Sequence, residues 1–352
     1  MKNPLFRHLT LLPLLLYFCC VGETCIKKGP KPRPKVRREL VFVSGGLRRP
    51  ARGPTRLLPT DAVWTFDPRT ARFSRFQPSM GHDRAAHSSA SVDGRLLMVG
   101  GVGDFETKQY DDVLDADDRA FRSQQLPVET AEGMAAAPHA SGLLYLCGGV
   151  KTASGGAYRD YCSVYGLDTR RHKRVGDPIP TPRISDAAGL SDQHRYLYLI
   201  GGRLHDPPSL SDRLLRFDNH SGRWTSLKSL PVPFVGSAVF AADGSLFACG
   251  VGADGRRSLC FTYRVDKDVW RRARAPAVPI EQLQLVRCDG RLFAFGVVRV
   301  SGVDDATVRA AAVHEYVVAR RKWRRLSAAR LNGDEYHSHF ASTCHSTMTD
   351  DI

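Results

Sequence analysis

The chain has 352 residues and 42% hydrophobic content, a combination typical of a folded globular protein rather than a disordered one. Its formal net charge of +15 is concentrated near the N-terminus, because residues 24–56 hold eleven Lys or Arg against one acid. The rest is mildly basic and carries no RNA- or DNA-reading motif, so we expect no nucleic-acid partner. No apolar run reaches the length of about 18 residues that a membrane-spanning helix needs, so we expect no membrane span.

The N-terminal segment, residues 1–22, reads MKNPLFRHLTLLPLLLYFCCVG. Lys2 and Arg7 precede an apolar stretch that ends in small residues, a layout that fits a secretory signal peptide. The alternative is an apolar start to a shortened or alternatively spliced chain. Residues 23–38 are predicted to form a basic linker. A cytoplasmic location is favoured, with the secretory pathway as the alternative if residues 1–22 are a signal peptide.

Six units of about fifty residues make up most of the chain. Each has a strand that ends at a glycine, at positions 46 to 55 residues apart: Gly46, Gly101, Gly149, Gly202, Gly250 and Gly296. The first four units place another glycine directly before it: Gly45, Gly100, Gly148 and Gly201. In the last two units Cys249 and Phe295 take that place. A period near fifty indicates a repeat architecture.

The same order of elements recurs inside each unit. A turn precedes the glycine strand, and three units carry the Asp-Gly pair that favours tight hairpins: Asp93-Gly94, Asp243-Gly244 and Asp289-Gly290. After a variable loop, a second strand ends in a turn and an aromatic residue: Phe73, Phe121, Trp224, Trp270 and Trp323, with His172 in the third unit. We expect the glycines where strands crowd and the aromatics between adjacent sheets. A β-sandwich is the alternative fold, but it would not repeat every fifty residues.

This pattern of strand, double glycine, variable loop, strand and aromatic resembles the kelch repeat over residues 39–345. The lead-in KPRPKVRRELVFVSGG also resembles the start of the propeller in kelch-like (BTB-kelch) proteins. The resemblance implies an all-β, six-bladed kelch β-propeller. Because residues 333–344 resemble residues 81–92, we expect a C-terminal strand to complete the first blade and close the ring. Residues 346–352 are predicted to be a flexible tail.

The sequence lacks the common catalytic motifs: a glycine-rich phosphate loop, GxSxG, HExxH and CxxC. The dense histidine group is His337, His339 and His345 with Tyr336, and it fits the closing strand better than a metal site. We therefore expect no enzyme activity, no cofactor and no metal.

The loops after the glycines differ most between units, and variable loops on a rigid scaffold commonly carry binding. The candidate partner-binding residues are Arg48, Arg49, Arg52, Tyr110, Tyr158, Arg159, Arg203, His205 and Arg213. The resemblance implies that this loop face holds a target protein, as in kelch-like proteins, whose BTB and BACK domains dimerise and bind a cullin-3 ubiquitin ligase.

Only about forty residues precede the repeats, so we expect contact with cullin-3 to be indirect at most. The favoured function is a protein-interaction module, with a substrate-recognition (ubiquitin-ligase adaptor-like) role as its extension. A secreted or luminal kelch binding protein is the alternative, and a propeller enzyme is less favoured.

Two cysteine pairs flank turns symmetrically, Cys147 with Cys162 and Cys249 with Cys260. Each pair could form a disulfide across a hairpin, or its members could be small buried thiols. The sequence leaves both alternatives open.

Overall fold

The protein is described by a computed structural model. The structure describes residues 35–48, 58–103, 110–115, 121–125, 131–151, 156–181, 183–255, 257–277, 280–300, 308–327 and 340–350. Residues 1–22, the predicted signal peptide, lie outside this range.

Strands account for nearly all of the regular structure. The first sixteen are β1 (Lys35–Ser44), β2 (Leu47–Arg48), β3 (Leu58–Pro59), β4 (Val63–Asp67), β5 (Arg72–Phe76), β6 (Ser88–Val92), β7 (Arg95–Val99), β8 (Tyr110–Asp115), β9 (Arg122–Gln125), β10 (Ala135–His139), β11 (Leu143–Cys147), β12 (Val150–Lys151), β13 (Ala157–Tyr158), β14 (Cys162–Gly166), β15 (Arg171–Val175) and β16 (Ile184–Ser185). The others are β17 (Ala188–Ser191), β18 (Tyr196–Ile200), β19 (Arg203–His205), β20 (Pro208–Leu210), β21 (Leu214–Asp218), β22 (Arg223–Ser226), β23 (Val235–Phe240), β24 (Leu246–Val251), β25 (Ser258–Arg264), β26 (Val269–Ala273), β27 (Glu281–Cys288), β28 (Arg291–Val300), β29 (Val308–Val317), β30 (Lys322–Arg325) and β31 (Ala341–Asp350). A short 3-10 helix spans Val318–Arg320.

The strands form four-stranded antiparallel sheets that follow the predicted repeat. In the described residues these are sheet 1 (β31-β1-β4-β5), sheet 2 (β6-β7-β8-β9), sheet 3 (β10-β11-β14-β15), sheet 4 (β17-β18-β21-β22), sheet 5 (β23-β24-β25-β26) and sheet 6 (β27-β28-β29-β30). Smaller sheets are β2-β3, β12-β13 and β16-β19-β20. The molecule is therefore all-β, and its repeated sheets fit a propeller.

Sheet 1 combines the two ends of the described chain. Strand β31 pairs with β1 over their full length, from Lys35 opposite Asp350 to Ser44 opposite Ala341. This pairing supplies the strand that unit one lacks in sequence. It also corrects two predicted boundaries. Strand β1 begins at Lys35, inside the predicted linker 23–38, and β31 continues to Asp350, inside the predicted tail 346–352.

Each sheet packs against the next along the chain. The first strands of consecutive sheets are in contact, from β6 through β10, β17, β23 and β27 to β31, and β31 also contacts β6. Buried apolar clusters fill the space between neighbours, for example Phe42 with Leu96 between sheets 1 and 2 and Phe66 with Phe293 between sheets 1 and 6. Burial of these faces is what a single four-stranded sheet cannot achieve alone.

The double glycines join neighbouring sheets through one carbonyl group. A Cβ added at the first glycine would lie only 2.4 to 2.7 Å from a backbone oxygen of the segment that leads into the next sheet, at Gly45, Gly100, Gly148 and Gly201. The N–H of the second glycine donates to that same oxygen at 2.8 to 3.2 Å, at Gly46, Gly101, Gly149 and Gly202. The accepting carbonyls belong to Arg84, Ala131, Ile184 and Phe234. The close approach predicted at the glycines is thus confirmed. The group that approaches each first glycine is a backbone carbonyl rather than a side chain.

Units five and six lack the double glycine and its shared carbonyl contact. Gly250 lies inside β24 and Gly296 inside β28, and the strands continue past the position where the earlier units turn. Gly250 still has a packing reason, since a Cβ there would meet the Phe234 ring at 2.2 Å. Replacement of the first glycine by Cys249 or Phe295 therefore coincides with an extended hairpin.

The recurring aromatic residue contacts the preceding sheet in five of the six units. The indole Nε1 groups of Trp224, Trp270 and Trp323 donate to the carbonyls of Asp177, Lys228 and Arg274, at 3.1, 2.7 and 2.7 Å. Phe121 lies 6.0 Å from Phe76, and Phe73 lies 6.4 Å from Phe295, between ring centroids. His172, at the same position in unit three, lies opposite Tyr165 within its own sheet.

The predicted Asp-Gly turns differ in conformation. Asp93-Gly94 and Asp289-Gly290 have positive φ at both residues, as tight two-residue hairpins require. At Asp243-Gly244 only the glycine has positive φ. The Asp243 carboxylate instead accepts hydrogen bonds from the backbone and hydroxyl of Ser245, at 3.0 and 2.6 Å.

All six cysteines of the described residues form disulfides. Cys147–Cys162 and Cys249–Cys260 each join directly paired neighbouring strands, with Cα atoms 4.1 and 4.2 Å apart. These are the two pairs that the turns had suggested. The sequence did not suggest the third, Cys288–Cys344, which links β27 of sheet 6 to β31 of sheet 1.

Three histidines are buried in the described residues, His87, His314 and His345, and two of them have a lowered pKa. Burial, followed by the nearby Arg84 guanidinium, lowers the pKa of His87 well below its usual range. Burial, followed by Arg325, lowers the pKa of His314 to about 4. Both side chains are therefore neutral at pH 7.

We expect Gly201→Ala to destabilise the protein by roughly 3 kcal/mol or more, because it adds a collision with the Phe234 carbonyl to the strain of positive φ. The matched control is Gly244→Ala, which has the same sign of φ but no atom within 4 Å of the new Cβ, and should cost about 1–2 kcal/mol. Urea unfolding measures both variants. Equal losses would contradict the carbonyl contact.

The free energy of unfolding should fall as the pH drops below about 6.5. His87 and His314 take up protons in the unfolded chain at this pH, whereas they stay neutral while buried in the folded protein. His314→Leu should flatten this dependence by at most about 1.4 kcal/mol per pH unit between pH 6.5 and the folded pKa. His220→Leu, at an exposed turn, is the control and should keep the wild-type slope. An unchanged slope in His314→Leu would refute this account.

Candidate functional site

The first strands of the six sheets line a cavity of about 1190 Å³. Its wall is built largely from small residues, such as Ala90, Ala135, Gly189 and Ala238. Small side chains leave the space between the strands open, and concave spaces of this kind are where proteins commonly bind other molecules.

Seven side chains form a connected group beside this cavity, here named the rim cluster: Tyr158, Arg183, Ser185, Asp186, Arg203, His205 and Asp206. Two small sheets present it. Strand β16 pairs with β19, which pairs with β20, and β13 pairs with β12. These short strands extend beyond the four-stranded sheets. They carry Asp186, Arg203 and His205 to the cavity lining.

An aromatic and ionic half of the rim cluster surrounds Tyr158. The Tyr158 ring lies 4.8 Å from the His205 ring, between centroids, and the Arg183 guanidinium lies 5.9 Å from the Tyr158 ring. Arg183 also pairs with the exposed Asp206 carboxylate. Tyrosine and arginine held in this way are residues that commonly anchor protein interfaces.

The other half surrounds Asp186. Its carboxylate lies 3.4 Å from Arg203 Nε and accepts a hydrogen bond from Ser185 Oγ at 3.1 Å. Ser185 Oγ lies 2.8 Å from His205 Nε2. In a catalytic triad the carboxylate contacts the second ring nitrogen of the histidine, whereas here it contacts the serine hydroxyl, so this trio does not match a catalytic triad.

The structure brings together three predicted partner-binding residues: Tyr158, Arg203 and His205. Arg213 is exposed and follows Ser211, whose hydroxyl accepts its backbone N–H. Arg48 and Tyr110 lie in β2 and β8, but their side chains lie outside the described residues, as do Arg49 and Arg52 entirely.

Arg159 is a correction to the predicted site. Its side chain is fully buried, with Nη1 donating to Met134 Sδ and Nη2 donating to Ser163 Oγ, both at 3.0 Å. Its guanidinium lies 4.6 Å from the Tyr161 ring. The residue follows Tyr158 directly, and alternation along the chain turns it inward. The buried Arg159 side chain therefore stabilises the loop from the protein interior and is not accessible to a partner.

Sequence reasoning missed Arg183, Ser185, Asp186 and Asp206. The first three lie in the segment TPRISDAAGL, which leads into sheet 4. The sequence did contain a signal for these residues. The variable loops follow the double glycines, and the segment that leads into each sheet contacts the double glycine of the preceding unit. This connecting segment therefore lies at the same end of the sheets as the variable loops.

Of the candidate metal ligands, only His345 belongs to the described residues. His345 is buried, with Nδ1 lying 3.0 Å from Ser91 Oγ and its ring lying 5.7 Å from Phe42. Tyr336, His337 and His339 lie outside the described residues. Glu39, Cys288 and Cys344 bring ligand atoms within 4.8 Å of one another, but the disulfide leaves no thiolate there.

Comparison with known proteins identifies two relatives. No protein-family model matches the chain. Mouse kelch-like protein 35 is 31% identical over 119 residues, which cover 33% of this chain and 20% of that protein. Kelch repeat and BTB domain-containing protein 1 of Ectromelia virus (strain Moscow) is 24% identical over 152 residues, which cover 42% of this chain and 25% of the viral protein.

The matched segments thus span about a fifth to a quarter of these relatives. In the described part of this chain, no helix has the length and apolar character needed to cross a bilayer. The predicted resemblance is confirmed: the two kelch relatives and the repeated four-stranded antiparallel sheets together fit a kelch-repeat propeller.

Proposed function

We propose that the six sheets are the blades of a closed six-bladed propeller, with β31 and β1 joining its ends in one blade. The contacts of the first strands support closure, because they run from β6 to β31 and return to β6. The aromatic cluster of Phe66 with Phe293 and Phe295, at 5.5 and 5.4 Å, supports the contact between the sixth blade and the first.

On this scaffold the protein acts as a protein-interaction module whose loop face binds a target protein. The observation that carries this proposal is the rim cluster, where Tyr158, Arg183 and Arg203 gather beside a large cavity. Arg183 and Arg203 keep 51% and 52% of their side chains exposed, so both remain available to a partner. The kelch relatives agree with an interaction role. A substrate-adaptor role in ubiquitination, with cullin-3 engaged indirectly, and the absence of enzyme activity remain predictions.

The double variant Tyr158→Ala/Arg203→Ala should lose a target protein that the wild type captures. Tyr196→Ala/Arg216→Ala is the matched control, since it removes another tyrosine–arginine contact, of 4.5 Å, on sheet 4. Captured proteins would be identified by mass spectrometry, and one of them purified and titrated against each variant. We expect the rim variant to bind at least about tenfold more weakly and the control to bind as wild type does. Equal binding by all three proteins would contradict the loop face.

A secreted or luminal location is the second candidate, and one observation favours it over the cytoplasm. All six cysteines of the described residues lie in disulfides, which persist in oxidising compartments and are rare in the cytosol. The cysteine pairs are directly opposed across strands or across the contact of sheets 1 and 6, so each can close without rearrangement of the backbone.

Removal of a disulfide should destabilise the protein by an amount that rises slowly, with the logarithm of the number of residues that the disulfide encloses. The chain-entropy relation predicts a loss of about 4 kcal/mol for Cys288→Ala/Cys344→Ala, with a separation of 56 residues. For Cys249→Ala/Cys260→Ala, with a separation of 11, it predicts about 3 kcal/mol. Urea unfolding measures both, beside a thiol count by mass spectrometry. Alkylation of all six cysteines of these three pairs, in protein purified from its native compartment, would refute the oxidising location.

A further inference from the structure

Exposed cations gather on the outer strands of sheets 5 and 6. Strand β26 and the residue after it carry three, and the turn into β30 and that strand carry three more. Together they are named the basic patch: Arg271, Arg272, Arg274, Arg321, Lys322 and Arg325. All six side chains belong to exposed residues.

Arg274 and Arg321 lie near each other, although they come from two sheets. The indole of Trp323 in β30 donates to the backbone carbonyl of Arg274 at 2.7 Å, which holds the two outer strands together. Burial raises the pKa of Tyr316, and the guanidinium groups of Arg321 and Arg274 both oppose that rise. Tyr316 therefore lies within the electrostatic reach of one cation from each sheet.

The acids near the patch are already engaged elsewhere. Asp266 pairs with Arg264 at 2.9 Å, and Glu315 pairs with Arg291 at 2.7 Å and with Arg324. Asp268 accepts hydrogen bonds from the Tyr263 hydroxyl and the Lys228 N–H. Within the described residues, none of the six patch cations forms an ion pair. The patch therefore presents a concentrated, uncompensated positive charge.

The patch also contains a concave site. A cleft of about 370 Å³ opens between the start of β25 and the end of β26, and its lining includes Ser258, Arg272 and Arg274. Two arginines at one cleft suit an anionic group with several oxygens, because a guanidinium group can bind such a group through two parallel hydrogen bonds.

We propose that the basic patch binds a linear sulfated polysaccharide. Two observations favour this polyanion over a nucleic acid. The large hydrophobic residues exposed in the described part of the chain are Val232, Val269 and Val318, and Trp323 within the patch is only partly exposed, so no fully exposed aromatic ring accompanies the cations for base stacking. The three disulfides indicate an oxidising compartment, where sulfated polysaccharides rather than nucleic acids are the abundant polyanions. The choice of polyanion thus rests on the proposed location, but not on the rim cluster.

The test uses the full oxidised chain and a heparin dodecasaccharide, titrated by calorimetry over a range of salt concentrations. The patch variant is Arg272→Gln/Arg274→Gln/Arg321→Gln. The control, Arg170→Gln/Arg171→Gln/Lys173→Gln, removes the same charge from exposed residues of sheet 3, and Arg170 and Arg321 share positive φ, at 51° and 48°. We expect the patch variant to bind at least about tenfold more weakly near 0.15 M salt. The slope of log K against log salt should fall by about 1 for each lost contact. The control should change by less than about threefold.

Equal weakening by the two variants would overturn the proposal, because total charge would then explain binding. Unchanged binding by the patch variant would overturn it as well, and would assign the affinity to other basic residues. A single-stranded poly(U) RNA that binds the wild type more tightly than the dodecasaccharide, and depends on the same patch, would replace the polysaccharide with a nucleic acid. Each variant is also tested in the rim capture experiment, where both should behave as wild type, so the two proposals fail separately.

Discussion

A shared carbonyl between neighbouring sheets is the contact on which the architecture depends in units one to four. The first glycine of each pair lets the backbone approach that oxygen to a distance where a Cβ would collide, and the second glycine donates its N–H to it. One backbone group thus sets both the spacing and the angle between sheets. Since any side chain at Gly201 would push the Phe234 carbonyl away, the geometry admits only glycine at this point.

The remaining interfaces are held by other means. Units five and six have no paired glycines, and apolar packing replaces the shared carbonyl, with Phe247 against Trp323 at 6.1 Å between sheets 5 and 6. Between sheets 6 and 1 the contacts are of three kinds: the rings of Phe66 and Phe293, the disulfide of Cys288 with Cys344, and the Glu39 carboxylate that accepts the Asp289 N–H at 2.6 Å. The sheet that contains both chain ends therefore has the most varied support.

Two surfaces of different character result from this arrangement. The rim cluster lies beside the cavity, and its cations are balanced by Asp186 and Asp206, which suits the selective recognition of a folded partner. The basic patch lies on the outer strands, and its cations are unbalanced, which suits a flexible polyanion. The two surfaces share no residue, so the two proposed ligands do not compete for the same side chains.

The sequence by itself determined the period, the all-β class, the glycine and aromatic positions, the disulfide candidates on adjacent strands and the role of the C-terminal strand, because each follows from local pattern or internal similarity. Tertiary structure alone decided which loop residues are exposed. Arg159 and Tyr158 are adjacent in sequence, yet the first is buried under Tyr161 and the second faces His205. It also decided that Cys288 meets Cys344 and that Arg183 joins Tyr158. A repeat pattern specifies a residue's place within its own sheet, whereas exposure and partners depend on the neighbouring sheet, whose distance and angle no local pattern encodes.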